Sequence, residues 1–280
     1  MIAYAKLHVL MAREPRLAVV IRHGTAKSVC TLLWNRATDE FTLGQWIRGR
    51  IDTATCDLSP DGEHFIYTAS RSYLQVNFWT VVSRPPYLKA VAYYPWRGCG
   101  GWFVNNRDYC VVGHGGSRAD DREHPYAWRV EAEAPKPGLY AAQMMRAGWT
   151  LDGTLGFVRE AGHGWTLRRS SSGLYALSCG DRRADTNGWD WADVDGRRLV
   201  WTVKGCLWAG RVGKEGLEDV RLLHDFNGMK FEAIAAPYEE GRPVVARAPV
   251  VAVVALPARA RKKGRIRKKP VRARVRVEDD

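Results

Sequence analysis

Short apolar segments recur along the chain, alternate with polar positions, and are separated by turn residues. Alternation over four to eight residues, bounded by Gly, Asp or Asn, is the pattern of a β-strand. The segments that follow a turn are anchored at intervals of 43 to 47 residues, at Val19, Phe65, Cys110, Phe157, Val200 and Val244. No stretch keeps helical periodicity over three turns. The pattern predicts an all-β protein.

Each interval repeats the same order of features. A short strand-like segment precedes the turn, and a second turn then leads to a strand that carries a tryptophan. Asp-Gly turns, which favour hairpins because glycine tolerates positive φ, are Asp61-Gly62, Asp152-Gly153 and Asp195-Gly196. The repeated tryptophans are Trp34, Trp79, Trp128, Trp165 and Trp208. A fourth apolar segment closes each unit, and "GLYAAQMM" is the predicted fourth strand of the third unit. The sixth unit begins with "FEAIAA", is incomplete and lacks its tryptophan.

Four short antiparallel strands cannot bury both faces of a sheet alone, and radial packing of such sheets covers them. A period near 40 to 45 residues with four strands per unit is typical of a β-propeller blade. The sequence therefore predicts a β-propeller over residues 1–257, with the repeated tryptophans filling the spaces between blades. Six blades are the leading prediction. Five blades with a C-terminal extension, or a two-sheet sandwich, are the alternatives.

One copy of the unit resembles a known family. "LSPDGEHFIYTAS", at residues 58–70, is similar to the strand-turn-strand signature of TolB-type propeller repeats. "WADVDGRRLVWTVKGCLWAGRV" and "GWTLDGTLGFVREAGHGWTLRR" resemble more divergent copies. The resemblance implies the propeller fold over most of residues 1–257, and it transfers no active site because that fold hosts many activities.

The composition fits a globular cytoplasmic protein. The chain has 280 residues, is 46% hydrophobic and contains twelve tryptophans. No apolar run reaches the roughly 20 residues of a membrane span, and the N-terminus does not resemble a cleaved secretory signal. The six cysteines are scattered without a CxxC pair, so they are expected to be reduced and packed.

Several polar clusters are candidates for chemistry, and each also fits a turn. Asp57, Asp61, Glu63 and His64 suggest acid/base or metal chemistry, but their place in the repeat favours a hairpin turn. His23, His114 and His163 each precede a glycine after an anchor strand, which favours turns over a shared rim site.

Two longer polar segments complete the candidates. Residues 181–196 are rich in Asp but match only fragments of a calcium loop. The Gly-rich segment 113–125 is the best enzyme candidate by composition, and an inserted hydrophilic loop is the simpler interpretation. No G-x-S-x-G elbow or sialidase-type Asp box is present. No catalytic residue, cofactor or metal is predicted.

Residues 258–280 differ sharply from the rest of the chain. Their three acidic residues are outnumbered by eleven basic ones: Arg259, Arg261, Lys262, Lys263, Arg265, Arg267, Lys268, Lys269, Arg272, Arg274 and Arg276. More than half of the chain's formal charge of +13 therefore lies in this segment. A block of like charge is expected to be a solvated interaction tail.

The leading functional hypothesis is a non-enzymatic β-propeller scaffold that engages protein partners through its rim loops and its basic tail. One alternative is a protein tethered to nucleic acid by the tail, through sequence-independent phosphate contacts. The other is a propeller hydrolase with its site in the central channel or under the 113–125 loop. No membrane contact is predicted, and the oligomeric state is left open.

Overall fold

The computed structural model describes residues 4–24, 28–71, 78–94, 100–112, 128–129, 135–136, 138–153, 156–238 and 244–245. The chain divides into two compact units, residues 1–247 and residues 248–280. The second unit, which includes the whole basic tail, lies outside the described residues. Everything below concerns the first unit.

The first two sheets are antiparallel meanders of consecutive strands. Sheet 1 has the order β1-β2-β3-β4, with β1 Lys6–Met11, β2 Leu17–His23, β3 Ser28–Asn35 and β4 Glu40–Arg48. Sheet 2 has the order β5-β6-β7-β8, with β5 Arg50–Leu58, β6 Phe65–Ser70, β7 Phe78–Ser83 and β8 Ala90–Tyr94.

The third sheet is smaller, and a helix follows it. Sheet 3 contains β9 Gly101–Phe103, β10 Asp108–Val111 and β11 Trp128–Arg129, and β11 pairs parallel to β10. Helix α1 spans Leu139–Arg146 and contacts β5 on one side and the next sheet on the other.

The last two sheets are again meanders. Sheet 4 contains β12 Thr150–Asp152, β13 Gly156–Gly162, β14 Trp165–Arg169, β15 Tyr175–Cys179 and β16 Arg182–Arg183. Sheet 5 contains β17 Trp189–Asp195, β18 Arg198–Val203, β19 Cys206–Val212 and β20 Leu217–Asp225. A final strand, β21 Val244–Val245, pairs parallel to β8 of sheet 2.

Four of the sheets therefore have the four-stranded meander that defines a propeller blade, and the TolB-like propeller resemblance is seen at the level of fold. The expected sixth blade is not confirmed. Its first segment, around residues 231–236, has no regular structure, and its anchor Val244 joins sheet 2.

Successive side chains of a central strand pack into two different hydrophobic cores, one on each face of the sheet. The central strands are therefore continuously apolar in sequence. Val20 of β2 packs with residues of sheet 5, including Val200, whereas Val19 packs with residues of sheet 2, including Phe65. Sheets 2 and 3 share a third core, and sheets 4 and 5 share a fourth. Sheets 1 and 5, which are far apart in sequence, are thus direct neighbours.

A group of partly buried and exposed charges strengthens the contact between sheets 1 and 5. Asp39, in the turn between β3 and β4, accepts hydrogen bonds from Arg198 of sheet 5 at 2.8 Å and from Arg221 at 2.6 Å. The indole nitrogen of Trp34 also donates to Asp39, at 3.2 Å. These arginines hold the pKa of Asp39 below its usual value although burial opposes them.

The structure corrects one predicted strand. The segment "GLYAAQMM" was expected to be the fourth strand of the third unit, but Leu139–Arg146 forms α1. Ala, Gln, Met and Leu favour helix, and a short apolar run is compatible with both periodicities. Gly138 precedes the helix with a φ of 147°, a conformation that favours glycine.

The repeated tryptophans and turns occupy these positions. Trp34, Trp79, Trp165 and Trp208 lie on the third strand of their sheets, but at different registers, and Trp128 begins β11. Trp34 and Trp165 are fully buried, whereas Trp79 and Trp208 are half-buried. Gly62, Gly153 and Gly196 all have positive φ, as Asp-Gly hairpin turns require.

Candidate functional site

The first strands of sheets 1, 2 and 5 adjoin one another and enclose a small cavity. Strand β1 contacts both β5 and β17. The cavity, of about 80 Å³, is lined by these strands and by α1. We call it the inner cavity, and its polar lining residues are His8, Arg13, Asp57, Tyr140, Gln143, Arg146, Tyr175 and Asp193.

Asp57, near the end of β5, is one of two buried carboxylates in the inner cavity. Its Oδ2 accepts a hydrogen bond from the backbone N–H of Phe103 at 2.8 Å and from Arg146 of α1 at 3.1 Å. Burial raises the pKa of Asp57, and Arg146 and Arg13 oppose that rise. Asp57 therefore joins sheet 2, sheet 3 and α1.

Asp193 of β17 is the second buried carboxylate. It pairs with Arg159 of sheet 4, and its Oδ1 also accepts from the backbone N–H of Val194 at 2.8 Å. Burial raises the pKa of Asp193 to about 6, although Arg159 favours the charged form. Asp193 therefore joins sheets 4 and 5.

Asp57 and Asp193 are thus each paired with an arginine of a neighbouring element. The inner cavity, at about 80 Å³, holds no more than a few water molecules. Glycosidase-type hydrolysis needs two carboxyl groups that flank a bound substrate. Asp57 and Asp193 instead form paired charges between neighbouring elements. The arrangement is suited to holding the centre of the ring together.

A wider cavity lies beside the inner cavity and shares His8 and Tyr140 with it. We call it the channel mouth. Its volume is about 710 Å³, and its charged or titratable lining residues are Lys6, His8, His23, Arg50, Tyr4, Tyr140, Arg169 and Asp190. The three cations come from three different sheets, because Lys6 begins β1, Arg50 begins β5 and Arg169 ends β14.

The histidines of the channel mouth are neutral near pH 7. Burial, and then the proximity of His23 and Arg169, lowers the pKa of His8 to about 3. Burial, and then Arg50 and Lys6, lowers the pKa of His23 to about 4, against a weaker opposing effect of Asp52. Neighbouring positive charge and burial both disfavour the imidazolium form. The mouth is therefore an electropositive cavity with two neutral imidazoles.

The polar group after β5 forms a turn, with a metal-compatible geometry at its tip. Asp61 Oδ1 accepts from the hydroxyl of Ser59 at 2.5 Å and from the backbone N–H of Glu63 at 3.0 Å. Ligand atoms of Asp61, Glu63 and His64 lie within 4.8 Å of one another. Since Asp61 already bonds within its own turn and Glu63 is exposed, the hairpin accounts for the group.

The other sequence candidates are separated by the fold. His23 lines the channel mouth, while His163 is exposed in a tight turn with a φ of 52°. His114 and the segment 113–125 lie outside the described residues, as do all eleven basic residues of the tail. Of the acidic segment 181–196, Asp185 caps a turn at Asn187, Asp190 lines the mouth, and Asp193 lines the inner cavity.

Sequence reasoning missed most residues of the two cavities. The repeat pattern assigns Asp57 to the cluster around a hairpin turn, and no sequence motif includes Lys6, His8 or Arg169. One signal was available. Asp57 and Asp193 both lie on the first strand of a unit, opposite the beginning of the anchor strand. Alignment of the repeated units would have placed them at the centre of the ring.

Comparisons with known proteins give structural neighbours alone. No protein-family model matches the chain, and no curated protein matches it. Among solved structures, the chain is similar to an uncharacterized protein from Listeria monocytogenes EGD-e, with 9% identity, 78% of this chain and 66% of that chain covered, and a TM-score of 0.33.

Two further structural neighbours are a β-propeller domain and a TolB protein. The β-propeller domain of Cps50 (Swd1) from Myceliophteria thermophila has 10% identity, covers 76% of this chain and 67% of that chain, and gives a TM-score of 0.28. TolB from Acinetobacter baumannii has 14% identity, covers 77% and 54%, and gives 0.26. The chain thus spans about two thirds of the first two neighbours and about half of TolB. At these scores the architecture rests on the strand pairing of this chain, and no function is transferred.

Across the part of the chain that the structure describes, no helix has the length and apolar character needed to cross a bilayer.

Proposed function

We propose that the chain is a non-enzymatic, cytoplasmic β-propeller scaffold that engages a protein partner through its outer surface and its basic C-terminal tail. The observation that supports this proposal most directly is the unpaired edge of strand β20, the outer strand of sheet 5. In the described residues β20 pairs with β19 on one side alone, which leaves the backbone groups of its other edge open over nine residues.

Strand β20 also exposes two apolar side chains among its charged residues. Val220 and Leu222 are 49% and 46% exposed. They are two residues apart and thus lie on the same face of the strand. An open edge with apolar side chains is the surface onto which an extended segment of another protein adds as a strand. By comparison, β8 is covered by β21 and β15 by β16. Strand β4 of sheet 1 also pairs on one side alone, but its Gln45 side chain bonds the backbone of Ile234 and of Leu88.

The charges around this edge complete the proposed interface. Arg211 of β19 pairs with Glu218 at 2.8 Å and with Asp219 at 3.2 Å. Apolar contacts surrounded by a polar rim are the usual anatomy of a protein interface. The paired carboxylates of the inner cavity support the scaffold over the hydrolase, because neither is left to act on a substrate.

The tail is proposed as a second contact. Its eleven cations attract an acidic surface of a protein, and the lack of aromatic residues argues against base stacking as the mode of contact. Nucleic acid is the competing partner for the same charges.

A capture experiment with four proteins tests the proposal: full-length chain, residues 1–257, the variant Val220→Glu/Leu222→Glu, and the control Leu174→Glu. Leu174 is 70% exposed in the turn between β14 and β15, far along the chain from β20. Partners cross-linked in cells are identified by mass spectrometry, with and without nuclease.

The scaffold predicts a protein set that survives nuclease, is lost from the β20 variant and is retained by the control. Loss of the set on nuclease treatment alone supports the nucleic-acid alternative and rejects the scaffold. Equal capture by the β20 variant and the wild type rejects β20 as the contact. Equal capture by residues 1–257 rejects the tail.

A further inference from the structure

The channel mouth combines a wide cavity with an excess of cationic side chains. Among the described residues, neither Lys6 nor Arg169 forms an ion pair, although both line the cavity. Asp190 is an acidic residue of the lining; burial raises its pKa, and the nearby Lys6 opposes that rise without forming a salt bridge. A concave surface with unpaired cations attracts and concentrates anions.

The cationic side chains of the mouth surround its histidines. The guanidinium of Arg169 lies 4.9 Å from the ring centre of Tyr140, so its planar fork is held at the junction of the mouth and the inner cavity. Lys6 and Arg50 begin the neighbouring strands β1 and β5, and both add to the effect of burial in lowering the pKa of His23. Guanidinium groups bind phosphate oxygens in pairs, and an ammonium group adds a compact charge.

His23 supplies an unused polar atom in this cavity. Its Nε2 is buried and has no hydrogen-bond partner among the described residues. Buried polar atoms are nearly always paired, so an orphan in a cavity wall points to a missing partner. Because the pKa of His23 is lowered to about 4, the ring is neutral near pH 7 and offers a single N–H donor.

We propose that the channel mouth binds a small phosphorylated molecule, with the phosphate held by Lys6 and Arg169 and with His23 as an additional donor. The volume of about 710 Å³ lies within the range of small-molecule sites. Two cations match a phosphate dianion better than a single carboxylate. The lining of this site includes no residue of β20 or of the tail. The phosphate-site proposal can therefore be tested separately from the scaffold proposal.

Isothermal titration of the full-length chain with inorganic phosphate, pyrophosphate and citrate tests the site, each at the same ionic strength. The test variant is Lys6→Gln/Arg169→Gln. The control is Arg197→Gln/Lys230→Gln, which removes the same charge from exposed positions outside the cavity. Both double variants keep the basic tail, so non-specific binding to the tail is equal in them. Thermal unfolding without ligand checks that both variants are folded.

The expected result is saturable binding of pyrophosphate to the wild type and the control, weakened at least tenfold in Lys6→Gln/Arg169→Gln. Pyrophosphate is expected to bind more tightly than citrate. Failure of both phosphate probes to bind, or equal binding to the two double variants, overturns the site. Citrate binding as tight as pyrophosphate overturns the phosphate class.

Discussion

Arg36 of sheet 1 and Asp195 of sheet 5 are joined by a buried ion pair, with Nη1 of the arginine 2.6 Å from Oδ1 of the aspartate. Their side chains are only 10% and 2% exposed. Arg36 also donates to the backbone oxygens of Ala12 and Pro15, both at 2.9 Å. The pair therefore fixes the β1–β2 turn of the first sheet against the last sheet and closes the ring.

Removal of one partner of this pair is expected to destabilise the protein strongly. Asp195→Asn leaves Arg36 buried without its counter-charge, and we expect a loss of about 3–5 kcal/mol in the free energy of unfolding. Urea unfolding followed by tryptophan fluorescence measures it. In the control Asp152→Asn the lost pair with Arg168 is half exposed, so the change should stay below about 1 kcal/mol. Similar losses in the two variants would contradict a ring-closing role.

The carboxyl of Asp193 should make stability depend on pH in the direction opposite to a usual salt bridge. Its pKa rises from 3.8 to about 6 on folding because of burial. Below 3.8 the proton is bound in both states, and between 3.8 and 6 ionisation is favoured in the unfolded chain alone. Stability from this group is therefore lost as pH rises through about 6.

The variant Asp193→Asn lacks this titration. We expect the stability of the wild type, relative to the variant, to fall by about 3 kcal/mol as pH rises across that window. Urea unfolding of both proteins at a series of pH values measures the difference. A relative gain in wild-type stability over the same window would show that Arg159 outweighs burial.

Gly44 of β4 has no room for a side chain. A Cβ at this position would overlap the carbonyl oxygen of Pro86 in the turn between β7 and β8. Gly44→Ala must therefore separate sheet 1 from that turn, and we expect a loss of at least about 1–3 kcal/mol. Gly228→Ala is the control, because no atom lies within 4 Å of its Cβ. Equal thermal unfolding temperatures of the two variants would refute the close approach.

The repeated tryptophans should differ in their contribution to stability. Trp34 is fully buried, and Trp34→Ala is expected to cost about 3–5 kcal/mol in the free energy of unfolding. Trp79 is half-buried in the core between sheets 1 and 2, and Trp79→Ala should cost roughly half as much. Guanidinium unfolding followed by circular dichroism compares the two. A larger loss for Trp79 would contradict the burial order.

Local features of the fold were predictable from sequence. The hairpin at Asp61-Gly62 and the strands on either side of it depend on residues that are close in the chain, and the same holds for Asp195-Gly196. The helix at Leu139–Arg146 was missed because its short apolar run fits two periodicities. The helix contacts β5 and β12, and these contacts select helix over strand. They are long-range and cannot be inferred from the local hydrophobic pattern.

The candidate sites depend on long-range contacts and were largely unpredictable. Asp193 was noticed within an acidic segment, but its partner Arg159 is 34 residues away. Lys6, Arg50 and Arg169 meet at one cavity from three sheets, and no sequence spacing connects them. The basic tail is identifiable from the sequence alone because its net charge depends on composition and not on the fold.

Sheets 1, 4 and 5 take all their strands from one continuous stretch of chain, and sheet 2 borrows the two-residue β21 alone. The segments that connect one sheet to the next therefore contribute few strands to the sheets. A break in the chain at Gly49, between β4 and β5, would keep the meanders of sheets 1, 2, 4 and 5 intact. The order in which the sheets are synthesised is thus separable from the order in which they pack.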